Sequence, residues 1–315
     1  MKKYPSIKNL CPSLAKKIPD IYDFYLEEKI HGANFSFIVE NGEISYASRT
    51  QNLTLESSFF GFQEVAKKYH VAALKVGNFY GGRVQIFGEL FGGHYPSMPN
   101  PNGGGAVQSG VWYCPQKDFV AFDILVNDEY YVNYDERRIN LIKSGFVTPP
   151  FITKINICDI SKFNPEFITK VPNIFGCQDI EDNFAEGVVA RPAFEDRFPD
   201  KTRMIFKIKS EKFSESKVKH NSMPKPDVSN NVNLCLQVHD HLINENRLQS
   251  AVSKVGEFCK ENHGKILKEF ISDVLSECRY GYGYLSASDT KVFNKEIAIR
   301  CSNFAKLHNP DFIKM

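Results

Sequence analysis

Lys29 lies in the run Glu27-Glu-Lys-Ile-His-Gly-Ala-Asn-Phe-Ser-Phe37, between two apolar-rich segments. Apolar flanks partly desolvate an ammonium, and the neutral amine this favours is a nucleophile. Gly32 follows three residues on, where a side chain would block close approach of a ligand. His31 and Asn34 fall in the same turn. An exposed lysine at a strand end fits K-x-x-G equally well. Further along, Lys207-Ile-Lys209 puts two cations on one face of a strand, because side chains alternate with period two. Such a pair either holds an anion, a phosphate above all, or faces water. Glu89 and Glu186 each adjoin a glycine in an apolar strand-like segment. A carboxylate there needs a cation, a metal or a hydroxyl partner. Phe122, in Phe119-Val-Ala-Phe-Asp123, is either core or a stacking surface for a base.

These residues need a sheet to hold them. Asn34–Glu40 and Glu43–Ser48 read as strands joined by the favoured two-residue turn Asn41-Gly42. Apolar residues at helical spacing predict an amphipathic helix from Phe59 to Val76. Arg83–Phe91, Asp118–Val126, Ala185–Arg191 and Met204–Ile208 read as strands, and Asp135–Ser144 as a short helix. Residues 1–23 read as an irregular lead-in with one short helix, broken by Pro5, Pro12 and Pro19. The loop from Gly92 to Gly110 holds Gly103-Gly104-Gly105 but no strand-flanked G-K-[ST], so a flexible surface loop is expected rather than a phosphate cradle. Ser214–Asn233, rich in Ser, Lys, Asn and Pro, reads as a linker. Beyond it, Leu234–Glu257, Lys265–Glu277 and Asp289–Leu307 read as helices, with breaks at Gly264 and at Gly281/Gly283. The expected architecture is an α+β domain over 1–213 with mainly antiparallel sheet, a linker over 214–233, and a small all-α domain over 234–315.

Composition narrows the function classes. The chain has 315 residues, 42% of them hydrophobic, and a net charge of only +2, which excludes a polycation and confines any nucleic-acid surface to a local patch. Lys201–Lys225 is such a basic stretch. No two of the eight cysteines are close enough for C-x-x-C, so zinc ribbons and redox pairs are not expected. Met-Lys-Lys-Tyr-Pro is followed by no apolar run, and none elsewhere approaches membrane-spanning length. A cytoplasmic protein with reduced cysteines and no membrane partner is expected.

In order and spacing, these segments resemble the covalent nucleotidyltransferase superfamily of ligases and capping enzymes. Lys29-x-x-Gly32 resembles its motif I, Phe87–Phe91 motif III, Phe119–Asp123 motif IIIa, Glu186–Arg191 motif IV and Phe206–Lys209 motif V. Lys-Ile-His-Gly, preceded by Glu28 and followed by Asn34-Phe35-Ser36, is similar to the nick-sealing RNA ligases. That group contains the second phage T4 RNA ligase and the trypanosome RNA-editing ligases. Ile205–Phe213 is a strong secondary match, and Asn246 to Gly256 resembles the C-terminal domain of the phage type. Two departures stand out: Ala33 where the family commonly has Thr, and Arg191 where motif IV commonly ends in Lys.

The resemblance implies an ATP-grasp-like nucleotidyltransferase domain and an ATP-dependent RNA ligase joining a 3′-hydroxyl to a 5′-phosphate. It also implies that AMP is carried covalently on Lys29 and that Mg²⁺ or Mn²⁺ assists. Lys207 and Lys209 would neutralise the α-phosphate, Glu89 would hold the ribose with Arg49 nearby, and Phe122 would stack on adenine. Glu28 and Ile30 would complete the nucleotide site, Glu186 would help bind the metal, and His31 and Asn34 would act near the RNA end. Arg247, Asp273 and Glu277 match charged positions of the phage-type domain and would engage RNA, a nicked duplex, with the protein acting as a monomer. The rival readings are a DNA ligase or capping enzyme, against which the absence of K-x-D-G stands, and a non-catalytic RNA-binding homologue, against which intact Lys29, Glu186, Lys207 and Lys209 stand.

Overall fold

The computed structural model describes residues 1–96, 98–101, 105–211, 213, 230–278 and 285–308. The chain divides into two compact units, residues 1–213 and 214–315. The first unit runs β1 (Lys8–Asn9), α1 (Pro12–Ala15), β2 (Asp23–Glu28), β3 (Ala33–Glu40), β4 (Glu43–Ser48), β5 (Asn52–Leu53), α2 (Gln63–Tyr80) and β6 (Arg83–Gly92). It continues with β7 (Lys117–Val126), β8 (Tyr130–Tyr131), α3 (Tyr134–Ser144), β9 (Phe151–Asn156), α4 (Val171–Ile174), β10 (Gly187–Pro192) and β11 (Phe206–Lys209).

The strands form two sheets, ordered β1-β11-β10-β2-β9 and β5-β4-β3-β6-β7-β8. Every pairing is antiparallel except that of β1 with β11. Fold class is therefore mixed α+β, as the alternating pattern requires. Asn41 and Gly42 both take positive φ, 53° and 79°, which is the turn expected between β3 and β4. On β3, Phe35, Phe37 and Val39 are buried on one face, and Phe35 and Phe37 pack edge-on against Phe119 of β7. In the first sheet, Phe24 and Leu26 of β2, Val188 and Ala190 of β10 and Phe206 of β11 share one apolar core. Their alternation leaves Glu27, Val189 and Lys207, which are register partners, on the opposite face.

Several sequence expectations need correction. The helix read from Phe59 starts at Gln63, because Phe60 and Gly61 take φ of 50° and 62° and form a turn before it. The Gly92–Gly110 loop is not a free surface loop: Tyr95 and Val107 are buried, and the Val107 amide donates to the Gly92 carbonyl. Gly103 and Gly104 lie outside the described residues.

The second unit contains α5 (Asn230–His239), α6 (Glu245–Val255), α7 (His263–Cys278) and α8 (Ala287–His308). Leu248, Val252, Ile266, Phe270, Val274, Phe293 and Ile297 are buried within it. The single helix read over Leu234–Glu257 is two, separated by a 3-10 turn at Asp240–Leu242. Asn244 restarts the chain as a helix cap, its side chain accepting from the Arg247 amide at 3.0 Å. The later break falls at Gly256 (φ 127°), whereas Gly264 sits inside α7. α5 begins at Asn230, inside the stretch read as linker; residues 214–229, and Gly281 and Gly283, lie outside the described residues. None of the eight cysteines is in a disulfide. Among the described residues no helix is long and apolar enough to cross a membrane.

Candidate active site

Lys29 follows β2, and its backbone amide extends the ladder by donating to the Gly187 carbonyl at 2.9 Å. Gly187 pairs with Lys209 on its other side. Lys29 and Lys209 therefore flank Gly187 on the non-core face of the first sheet. Gly187 has φ of 134°, and a Cβ there would stand 2.1 Å from the Ile208 carbonyl oxygen, so only glycine fits. That backbone breaks the strand alternation, and the Glu186 side chain comes round to the two lysines.

Glu186 is the hub. Its Oε2 lies 2.5 Å from the Lys29 ammonium and 3.4 Å from His31 Nδ1, and its Oε1 lies 3.0 Å from the Lys209 ammonium. Burial would push this carboxyl up, but Lys29, Lys209 and His31 outweigh it and hold the group well below the usual range. Lys29 and Lys209 are each 23% exposed, so both reach the carboxylate while staying open to a solute.

The second sheet contributes Glu89 on β6, opposite Asn34 on β3. Burial pushes the Glu89 carboxyl up to about 7; Lys29 and Arg49 oppose the rise and the Glu186 charge adds to it. Asn34 donates weakly to the Gly88 carbonyl at 3.4 Å. Gly32 joins the two sheets. A Cβ on it would stand 2.2 Å from the Leu90 carbonyl oxygen and 2.9 Å from Glu89 Cγ. The glycine expected to admit a ligand is thus demanded by the protein's own β6 backbone.

The remaining expected residues divide, Arg49 and Lys207 staying near the cluster and Glu28 and Ile30 turning into the core. Arg49 donates to the Ser6 hydroxyl at 2.9 Å. Phe122 is half-buried and meets the Tyr4 ring edge-on at 5.1 Å. Lys207 shares the face of Lys209, as the period of two requires. Glu28 is buried, accepting from the Thr169 hydroxyl and from the Lys170 amide at 2.9 Å, and burial pushes its carboxyl up to about 7. Ile30 is buried in an apolar cluster with Phe91, Tyr95 and Tyr113, so its side chain serves the core.

Arg191 explains its departure from Lys. It is buried and donates to Asp123 at 2.8 Å, with Glu27 3.6 Å away. Arg203, counted in the basic stretch, is also buried, bonded to Asp123 at 2.8 Å and to Glu195, so it offers nothing to RNA. Lys212, Lys217, Lys219 and Lys225 lie outside the described residues. In the second unit Arg247 is buried and pairs with Asp273 at 2.9 Å, joining α6 to α7, while Glu277 is exposed on α7.

Sequence reasoning missed Tyr113, whose hydroxyl accepts from the His31 amide at 2.9 Å, and Phe213, whose ring meets His31 edge-on at 5.3 Å. Tyr113 follows the one tryptophan beside a Gly-rich loop, and that aromatic pair was the available signal. Among the described residues no three or more His, Cys, Asp or Glu converge as a metal cage. Glu89 and Glu186 nonetheless interact electrostatically beside Lys29. Two hard oxygen donors at an open site suit an ion that takes one or two carboxylates and fills its shell with water and phosphate oxygens.

Residues 23–209 match the family model for RNA ligase, and residues 226–303 match that for the T4 RNA ligase 2 C-terminal domain. The Naegleria gruberi RNA ligase solved with PPi is similar at 17% identity and a TM-score of 0.47, over 68% of this chain and 57% of that one. A mutant of the Naegleria gruberi enzyme solved with AMP and Mn is similar at 14% identity and the same TM-score and coverage. This chain thus spans 57% of the length of those solved chains.

Proposed function

The chain belongs to the RNA ligase family, and from that premise we propose that it seals RNA ends, joining a 3′-hydroxyl to a 5′-phosphate through AMP carried on Lys29. The observation that carries the reading is the convergence of Lys29, Lys209 and His31 on the Glu186 carboxylate, with Glu89 alongside.

The Lys29 amine attacks the α-phosphorus of ATP; the new N–P bond forms as the bond to pyrophosphate breaks. The 5′-phosphate of an RNA end then displaces the lysine and takes the AMP. Finally the 3′-hydroxyl attacks that activated phosphate, and AMP leaves. Negative charge builds on phosphate oxygens at each step, so fixed cations lower each barrier more than any acid or base. Lys209 and Lys207 share one strand face, which supports the reading that they bind the α-phosphate. Glu186 orients Lys29 and Lys209 before substrate arrives. Phe122 offers a ring to adenine, Glu89 and Arg49 meet the ribose, and Asn34 and His31 act at the later steps, near the RNA end. Mg²⁺, held in part by Glu186, would neutralise phosphate charge and orient the leaving group. The helical unit engages the RNA, through duplex shape and 2′-hydroxyls rather than base sequence.

The test is a nicked RNA duplex labelled at the 5′-phosphate of the nick. With ATP and Mg²⁺ the label becomes resistant to phosphatase and moves to the full-length strand, and Lys29→Ala abolishes this. Sealing of a nicked DNA duplex but not of RNA, or no sealing of either by a chain that does take up AMP, would overturn the RNA reading.

A further inference from the structure

We propose that Arg137 is a positioning residue for the adenine nucleotide: its guanidinium sets the place of Phe122 relative to the strand that carries Lys29. The inference rests on the reading of Phe122 as the surface on which adenine stacks.

Arg137 lies on α3, in Tyr134-Asp-Glu-Arg-Arg-Ile-Asn, a sequence that reads as a solvated helix face. An arginine there normally extends its head to water. This one is 2% exposed. Its guanidinium is turned inward and donates to two acceptors on two different sheets. One is the Glu27 carboxylate on β2, at 2.8 Å; the other is the backbone carbonyl of Phe122 on β7.

Both acceptors are informative. Glu27 stands two residues before Lys29 on the same face of the first sheet. Phe122 is the extra residue of a β-bulge: Phe87 pairs with Asp123 and Gly88 with Ala121, leaving Phe122 without a register partner on β6. Bulges re-aim a side chain, and the ladder does not fix this one from the β6 side. Arg137 takes up the bulge carbonyl instead. The ring it aims is held by the Tyr4 edge at 5.1 Å and has the Arg191 guanidinium 5.8 Å from its centroid. The guanidinium itself is seated 4.9 Å from the Tyr134 ring centroid.

A planar fork can donate in two directions at fixed geometry, whereas a lysine ammonium acts as a point charge. Arg138 supplies a comparison within the same helix. It also donates to Glu27, at 3.2 Å, but its other bond goes to the Pro149 carbonyl rather than to Phe122. Loss of Arg138 therefore disturbs Glu27 and the Pro149 carbonyl but not the bulge, and loss of Arg137 disturbs Glu27 and the bulge together.

The experiment measures AMP transfer to the full-length chain against ATP concentration, with inhibition by pyrophosphate and thermal unfolding measured in parallel. Arg137→Met is expected to raise the half-saturating ATP concentration at least about tenfold, equivalent to 1.4 kcal/mol. The inhibition constant for pyrophosphate, which has no base to stack, stays within about twofold of the wild type, well inside that tenfold effect. Arg138→Met leaves both constants unchanged whatever it does to the melting temperature. In a Phe122→Ala background, Arg137→Met brings no further loss of ATP affinity, because the two act through one contact. Where Arg137→Met fails to fold, Arg137→Lys, which keeps a charge beside Glu27 and gives up the fork, raises half-saturating ATP in the same direction. Equal losses of stability in the Arg137 and Arg138 variants, with ATP half-saturation unmoved, would overturn the inference. So would a pyrophosphate constant that weakens in step with ATP. A folded wild-type chain that takes up no AMP would overturn the underlying reading of the site, a failure visible before any variant is compared.

Discussion

Two clusters of charge meet the same face of the first sheet, the second of them reaching across to Asp123 on β7 of the other sheet, and they are built from different side chains. One gathers Lys29, Lys209 and His31 around Glu186, with each of the three side chains about one-fifth exposed. The other gathers Arg191, Arg203 and Tyr4 around Asp123, and Arg137, Arg138 and Arg191 around Glu27, with Asp123, Glu27, Arg137, Arg191 and Arg203 almost wholly excluded from water. At Glu186 and at Asp123, burial alone would raise the carboxyl, and the neighbouring charges hold it well below the usual range. The difference lies in what the cations are able to do next. Arginine keeps its charge and fills a fixed fork of hydrogen bonds, which suits a permanent joint between sheets. Lysine offers one compact charge that can leave its carboxylate for a phosphate, or lose its proton and form a bond. The arginine cluster ties the two sheets together, and the lysine cluster keeps its cations open to a solute.

That contrast breaks most visibly if the joint fails. Asp123→Asn leaves Arg191 and Arg203 facing each other without their shared anion. It should cost roughly 3–5 kcal/mol, a large part of a domain's total stability, read as a lower urea midpoint. An unchanged midpoint would mean the cluster is not structural. Glu186→Gln should do the opposite. Lys29 and Lys209 reach water once the carboxylate is gone, so the expected stability loss is smaller than that of Asp123→Asn, although Glu186 itself is buried. AMP transfer should nevertheless fall about 100-fold or more, because the proposed nucleophile and the lysine proposed to bind phosphate lose their common anchor. A large stability loss with unaltered transfer would reverse the two assignments.

A third prediction uses Glu28, which belongs to neither cluster. Its folded pKa of about 7 lies above the value of 4.5 for an unperturbed glutamate, so the folded chain holds this proton more tightly. Its contribution to stability is therefore fully present below about pH 4.5 and is lost as pH rises to about 7. Across that window the wild type should lose about 3 kcal/mol relative to Glu28→Gln, measured as the difference in unfolding free energy between the two chains. Parallel pH curves would show that Glu28 is ionised in the folded state at neutral pH.

The lysine cluster was legible in the sequence, and the arginine cluster was not, for a physical reason. Lys29, Glu186 and Lys209 are charges set in apolar strands, where period two assigns them a face and no nearby residue explains them. The β3–β4 hairpin was legible because Asn-Gly suits the turn it makes. Arg137 and Arg203 occupy a helix and a basic stretch, positions where arginine usually faces water; only the packing of two sheets reveals their burial. The Gly92–Gly110 loop misled for a related reason. Glycine content reports backbone freedom, whereas the burial of Tyr95 and Val107 depends on distant partners. The long helix read from Leu234 failed at the Asn244 cap, which a run of helical periodicity on either side conceals.

The most direct measurement is the position of AMP on the chain. The full-length protein is incubated with ATP and Mg²⁺, digested without acid, and its peptides weighed. One adenylylated peptide is expected, the one containing Lys29, gained with Lys209→Met at a reduced rate and absent in Lys29→Arg. Adenylate on any other residue, or none on a folded chain whose intact mass shows no prior AMP, would contradict it.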